Sequence, residues 1–225
     1  MAAGAALVAL ALGPAWAGSE LIIDNSLVRV SLNTYVPGEP SGEHEHFAPR
    51  FVYVLTDGTL KSVTGSDPPE VMNMVGGSCM YAPPVRHALQ NTGDTTLRMV
   101  EVELIGARGT TDGRVQPCPQ RVERERRASR VERDVLFAGG DFVASRIVIP
   151  PGSRDKAGSI RGPRLVFVLE GRSLAARQAG GSKVIATKDA AIWVDEEAPL
   201  INLDTDAPLI VLEVTPNQNH GGASR

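Results

Sequence analysis

Apolar side chains along this chain recur at the spacing of short strands. Leu27 to Leu32 alternates apolar and polar positions in part, and Leu97 to Leu104 does the same. A period of two turns one face of each strand toward a core. Phe51 to Leu55 and Leu165 to Leu169 are unbroken apolar runs, as expected of strands covered on both faces. Asp57-Gly58 and Glu170-Gly171 follow those runs and predict turns. With 23 glycines and 16 prolines, the composition favours many short strands joined by tight turns over helices.

The pattern occurs twice. Pro37-Gly38 matches Pro151-Gly152, and Pro49 to Leu55 matches Pro163 to Leu169, both at an offset of 114 (37 to 151). Leu97 to Val102 matches Leu209 to Val214 at an offset of 112 (97 to 209), which sets Tyr81 opposite Trp193. Two long matches at nearly equal offsets predict two copies of one unit, residues 20–105 and 131–216. The connector between them, 106–130, carries Gly106, Gly109, Gly113, Pro117 and Pro119 and has no strong periodicity. Arg121 to Asp134 mixes six arginines with four acids and predicts a solvated helix or linker held by local ion pairs.

Charge and length narrow the class. A net charge of −3 gives no reason to expect nucleic acid as a partner. No apolar run reaches the roughly 18 residues of a membrane-spanning helix. Residues 1–17 hold a short apolar core, Ala5 to Gly13, then Ala15-Trp16-Ala17, and predict a secretory signal peptide cut before Gly18. No Lys or Arg precedes that core. The expected location is periplasmic or secreted. Residues 217–225, which include His220, predict a disordered tail. The two cysteines, Cys79 and Cys118, have no zinc-like spacing. In an oxidising compartment they can form a disulfide, and a buried thiol with a separate exposed one is the alternative.

Three of the four histidines fall in two strand-like segments. His44 and His46 are two apart, so on a strand they share a face. His87, arriving on another strand, can complete a three-nitrogen metal site. Glu43 and Glu45 alternate with these histidines and are expected to point away, to the surface. In the second copy, positions 44, 46, 87 and 91 map to Gly158, Ile160, Pro199 and Leu203, none of them a metal ligand. The first copy therefore carries the chemistry.

Pro37 to Gly58 resembles the first cupin motif, with Gly38, a spacer of five, His44-x-His46 and a later Gly58. Gly76 to Asn91 resembles the second, with Gly76, Pro83, His87 and Asn91. Gly58 and Pro83 each sit one position later than usual. Arg50 stands where the family most often has a glutamate ligand, and Pro84 stands where a glycine is usual. The resemblance, which covers roughly Leu27 to Leu104, implies a small β-barrel, and with the duplication the expectation is an all-β chain of two jelly-roll cupin barrels in tandem. It further implies one divalent transition metal on His44, His46 and His87, and imidazole ligands suit Fe, Mn, Zn, Ni or Cu. It does not imply a substrate; a small-molecule ligand or substrate is the expected partner.

Arg50 would hold a substrate carboxylate if it points inward, although its match to Arg164 in the ligand-free copy favours a structural role. Tyr53 and Tyr81 are candidate pocket residues that can equally pack in a sheet. Asn91 reads as a turn residue before Thr92-Gly93-Asp94. No general base is identifiable. A dioxygenase or related oxidoreductase acting on a small organic molecule is one reading. A non-catalytic module binding a metal or small ligand is the alternative.

Overall fold

The computed structural model describes residues 18–109, 113–119, 130–155, 163–176, 183–194 and 199–217. The expected leader, Gly158, Ile160, most of the arginine-rich segment and His220 lie outside the described residues. Every regular element among the described residues is a strand. The first half contains β1 (Gly18–Asp24), β2 (Val28–Tyr35), β3 (Pro40–His46), β4 (Arg50–Val54) and β5 (Gly58–Val63). It continues with β6 (Glu70–Met74), β7 (Cys79–Ala82), β8 (Val85–Asn91), β9 (Leu97–Leu104) and β10 (Gln116–Pro117). The second half contains β11 (Glu132–Ala138), β12 (Phe142–Ile149), β13 (Arg164–Glu170) and β14 (Arg172–Ala176). After these come β15 (Lys183–Thr187), β16 (Ala191–Val194), β17 (Leu200–Asn202) and β18 (Leu209–Pro216).

The two halves have the same strand order. One large sheet runs β1-β2-β9-β4-β7-β10 and the other β11-β12-β18-β13-β16. The small sheet of the first half runs β3-β8-β5-β6, and that of the second runs β17-β14-β15, with a single bridge from Arg154 to Ile201 where β3 would pair. Registers agree as well: Val28 pairs with Leu104 and, in the second half, Phe142 with Pro216. Gly38 and Gly152 make equivalent turns at φ 81° and 61°, a backbone region that glycine enters without steric penalty.

Burial follows strand alternation. Val52 and Val54 on β4 join Tyr35, Leu60, Leu89 and Met99 in the interior of the first unit. Ile147, Val166, Ile192 and Val211 do the same in the second. Phe51 and Tyr53 face the other way, into a third cluster with Val100, Val102, Phe142, Leu165, Phe167 and Leu212. The two large sheets thus pack against each other, which explains why β4, β13 and β18 are apolar on both faces.

Four expectations change. Glu132 to Asp134 are the start of β11 and not helix, because the edge of the large sheet takes them up as the partner of β12. The connector holds a short strand, β10, on the edge of β7, and Cys118 beside it is bonded to Cys79. The partner of Asn91 is Asn202 and not Leu203, since the turn after it is one residue longer in the second half (202 to 209 against 91 to 97). Asn91 Nδ2 donates to Tyr35 O and Thr95 O, and Asn202 Nδ2 donates to Ile149 O and Ala207 O. Asn217, placed with the tail in the sequence reading, donates from Nδ2 to Gly139 O and Gly140 O.

Candidate metal centre

The histidines are brought together by one bulge and one ladder. The β3–β8 register slips between Pro40 and Glu43, where Gly42 takes φ 75°. Beyond the slip His44 pairs directly with His87, and His46 lies one same-face step further along β3. Ring centroids are 4.7 Å apart for His44 and His87, 5.1 Å for His44 and His46, and 5.3 Å for His46 and His87. Each ring offers a ligand atom, and these atoms lie within 4.8 Å of one another. Glu43 points outward as expected, paired with Arg86 at 2.6 Å.

Each imidazole is anchored through Nδ1. That of His44 is 3.1 Å from Gly42 O, and that of His46 is 2.7 Å from Glu103 Oε1. Both partners are acceptors, so in the neutral form of each ring Nδ1 carries the hydrogen and Nε2 the lone pair. His87 Nδ1 lies 3.4 Å from the Ser62 hydroxyl. The Nε2 atoms of His46 and His87 are buried and have no hydrogen-bond partner. Burial above all, then the Arg50 cation and the two neighbouring imidazoles, holds His87 down at about 3. A neutral ring at ordinary pH is the state a metal requires. Converging ring nitrogens, two of them buried with no hydrogen-bond partner, fit a transition-metal ion.

Carboxylates complete the surroundings. Glu101 and Glu103, on β9, project into the same interior, and Glu101 Oε2 stands 3.7 Å from His46 Nε2. Arg50 also faces inward and is buried, with Nη1 donating to Pro83 O and Nε 3.5 Å from Glu101 Oε2. Its Nε, also buried, has no hydrogen-bond partner. In the second unit Glu213, the counterpart of Glu101, meets Arg164 and Arg133, and Arg133 also reaches Asp155.

Tyr53 and Tyr81 do not join the site. Alternation from Arg50 places Tyr53 on the far face of β4, and Tyr81 pairs with Phe51 on that same face. The Tyr81 hydroxyl donates to Asp141 at 2.8 Å, and burial and that carboxylate raise its pKa. A cavity of about 670 Å3 opens between the two units, lined in part by Tyr53, Ser78, Arg98, Arg146, Lys188 and Asp189. It does not reach the histidines. The tyrosine that does face the interior is Tyr35, its pKa raised by burial and by Glu101 against the opposing pull of Arg50.

Glu101 and Glu103 were not among the residues expected at the site. Their signal is two acids, two apart, in the otherwise apolar strand Leu97–Leu104, the first of them aligned with Glu213.

Neither a family model nor the sequence of a curated protein matches the chain. Solved structures do match in fold. AerE from Microcystis aeruginosa is 12% identical, covering 89% of this chain and 97% of its own, at a TM-score of 0.63. A cupin 2 conserved barrel domain protein from Leptotrichia buccalis is 16% identical, covering 92% of each chain, at a TM-score of 0.54. Oxalate decarboxylase from Lactobacillus farciminis, solved as a formate complex, is 11% identical over 87% of this chain and 78% of its own, at a TM-score of 0.58. The chain has the cupin jelly-roll fold.

Proposed function

We propose that this chain is a metal-dependent protein of the cell envelope that acts, as a dioxygenase or related oxidoreductase, on a small organic molecule held inside its first unit. The observation that carries the reading is the set of three imidazoles with ligand atoms within 4.8 Å, two of them presenting buried, unpartnered Nε2 atoms. A divalent first-row metal held by His44, His46 and His87 supplies a Lewis acid and, if redox-active, an electron reservoir.

The chain supplies the rest. Glu103 orients His46, and Gly42 O orients His44. Arg50 counters the carboxylates on β9 and pins the Pro83 turn next to β8. Tyr35, Leu60, Leu89 and Met99 wall the interior and keep water from the reacting molecule. Among proteins of this fold, the oxalate decarboxylase acts on a small dicarboxylate, which supports a small, oxygen-rich organic molecule as the substrate class. The Cys79–Cys118 disulfide supports an oxidising compartment, as does the apolar segment before Gly18.

The test is the metal content of untagged protein purified without chelator, followed by oxygen uptake with small organic acids. One equivalent of a first-row metal is expected in the wild type and none in His46→Ala, with both proteins folded. Full occupancy in His46→Ala overturns the metal reading. Ligand-induced stabilisation without turnover moves the protein to the non-catalytic class.

A further inference from the structure

We infer that Glu101, on β9, is the carboxylate that completes the metal's ligand set, in place of one at position 50. The inference rests on the three-histidine reading above and deepens it. Glu101 is 3% exposed, and its Oε2 is buried with no hydrogen-bond partner. That atom stands 3.7 Å from His46 Nε2, itself buried and unpartnered. Donor atoms bound to one first-row ion at about 2.1 Å are roughly 3.0–3.4 Å apart at octahedral and tetrahedral angles, so the observed pair needs only a small closure. Both atoms are acceptors, and only a cation or a donor proton satisfies them together.

The second unit provides the control. There the equivalent Glu213 has Arg133 at Oε1 and Arg164 at Oε2, the latter at 2.9 Å. In the first unit the corresponding arginine, Arg50, is drawn back to 3.5 Å from Glu101 and spends Nη1 on Pro83 O. No arginine stands at the place of Arg133 beside Glu101; Arg29, half exposed, pairs with Glu103 at 3.8 Å instead, which leaves Glu101 facing Arg50 alone beside three histidines. A buried carboxylate oxygen without a hydrogen-bond partner, beside three imidazoles, suits a divalent ion. Glu103 has a different part: its Oε1 is 2.7 Å from His46 Nδ1, which makes it a positioning residue for the ligand.

The test is titration of the metal-free full chain with Co(II), reading both affinity and the visible d–d bands. Glu101→Gln is expected to weaken binding at least about tenfold and to shift the bands, because a carboxylate leaves the coordination sphere. Glu103→Gln is expected to weaken binding by about 10–100-fold with the bands unmoved. Glu101→Asp keeps the charge beside Arg50 but shortens its reach by one methylene, and is expected to shift the bands with the thermal midpoint of the metal-free protein retained. Wild-type bands and affinity in Glu101→Gln, or wild-type bands in Glu101→Asp, overturn this inference and leave the three-histidine reading intact. A wild type that takes up no Co(II) overturns both.

Discussion

Asn91 and Asn202 do the same work in the two halves. Each side chain donates to carbonyls from two separate segments and accepts from the backbone two residues on, Gly93 N for the one and Asp204 N for the other. Asn91 is fully buried, and its bond to Tyr35 O spans 56 positions of sequence. Asn91→Ala leaves buried carbonyls without a donor and is expected to lower the unfolding free energy by about 1–3 kcal/mol in denaturant melts, with metal content unchanged. Asn202→Ala should do the same. A loss of metal in the first variant at unchanged stability would instead make Asn91 part of the site. The turn before Thr92-Gly93-Asp94 is visible in the sequence. The burial is not, because it depends on a carbonyl far away in the chain.

At the scale of elements, the strands that could be read from the sequence are those buried on both faces. β4 and β13 stand out as unbroken apolar runs, and their common offset reveals the duplication. What the pattern leaves open is which face looks inward. On β4 both faces are apolar, so nothing local separates Arg50 and Val52 from Phe51 and Tyr53; packing of the second large sheet decides it. The histidine pair was legible because alternation alone puts His44 and His46 on one face. The carboxylates were hidden in a strand whose apolar signal dominates. The connector was opaque for a different reason: a two-residue strand such as β10 has no period, and only the edge of β7 selects it. The bond from Cys79 to Cys118 fixes that strand across 39 residues of sequence. Replacing both cysteines by alanine is expected to lower stability by about 2–4 kcal/mol through the larger freedom of the unfolded chain. Metal content should hold, since Cys79 lies on the face of β7 that packs between the units. Unchanged denaturation midpoints would show that β10 adds nothing to the fold.

On the scale of the whole molecule, the two halves differ in chemistry but are not separable in packing. Phe142 of the second unit is fully buried, stacks on Phe137 at 4.7 Å, and meets Phe51 and Tyr81 of the first at 5.5 and 5.1 Å. Polar ties cross the same boundary. Tyr81 donates to Asp141, Asp141 accepts from the backbone of Arg108 and Gly109, and Arg98 pairs with Asp189 at 3.2 Å. A half without its partner would expose Phe51, Tyr53, Val100 and Val102, a contiguous apolar face of the kind soluble proteins cover. The copy without histidine ligands therefore has a use: its large sheet buries the outer face of the sheet that carries Arg50, Glu101 and Glu103. Phe142→Ala removes a ring from the middle of this shared core and is expected to destabilise the chain by about 3–5 kcal/mol. The loss should appear as one cooperative transition, with hydrogen-exchange protection falling in β4 and β9 as well as in β12 and β13. Metal binding should weaken only as the fold itself is lost, because His44, His46, His87 and Glu101 all sit on the first unit. If protection fell in β12 and β13 alone, the halves would be independent domains and the second unit would have no part in holding the site.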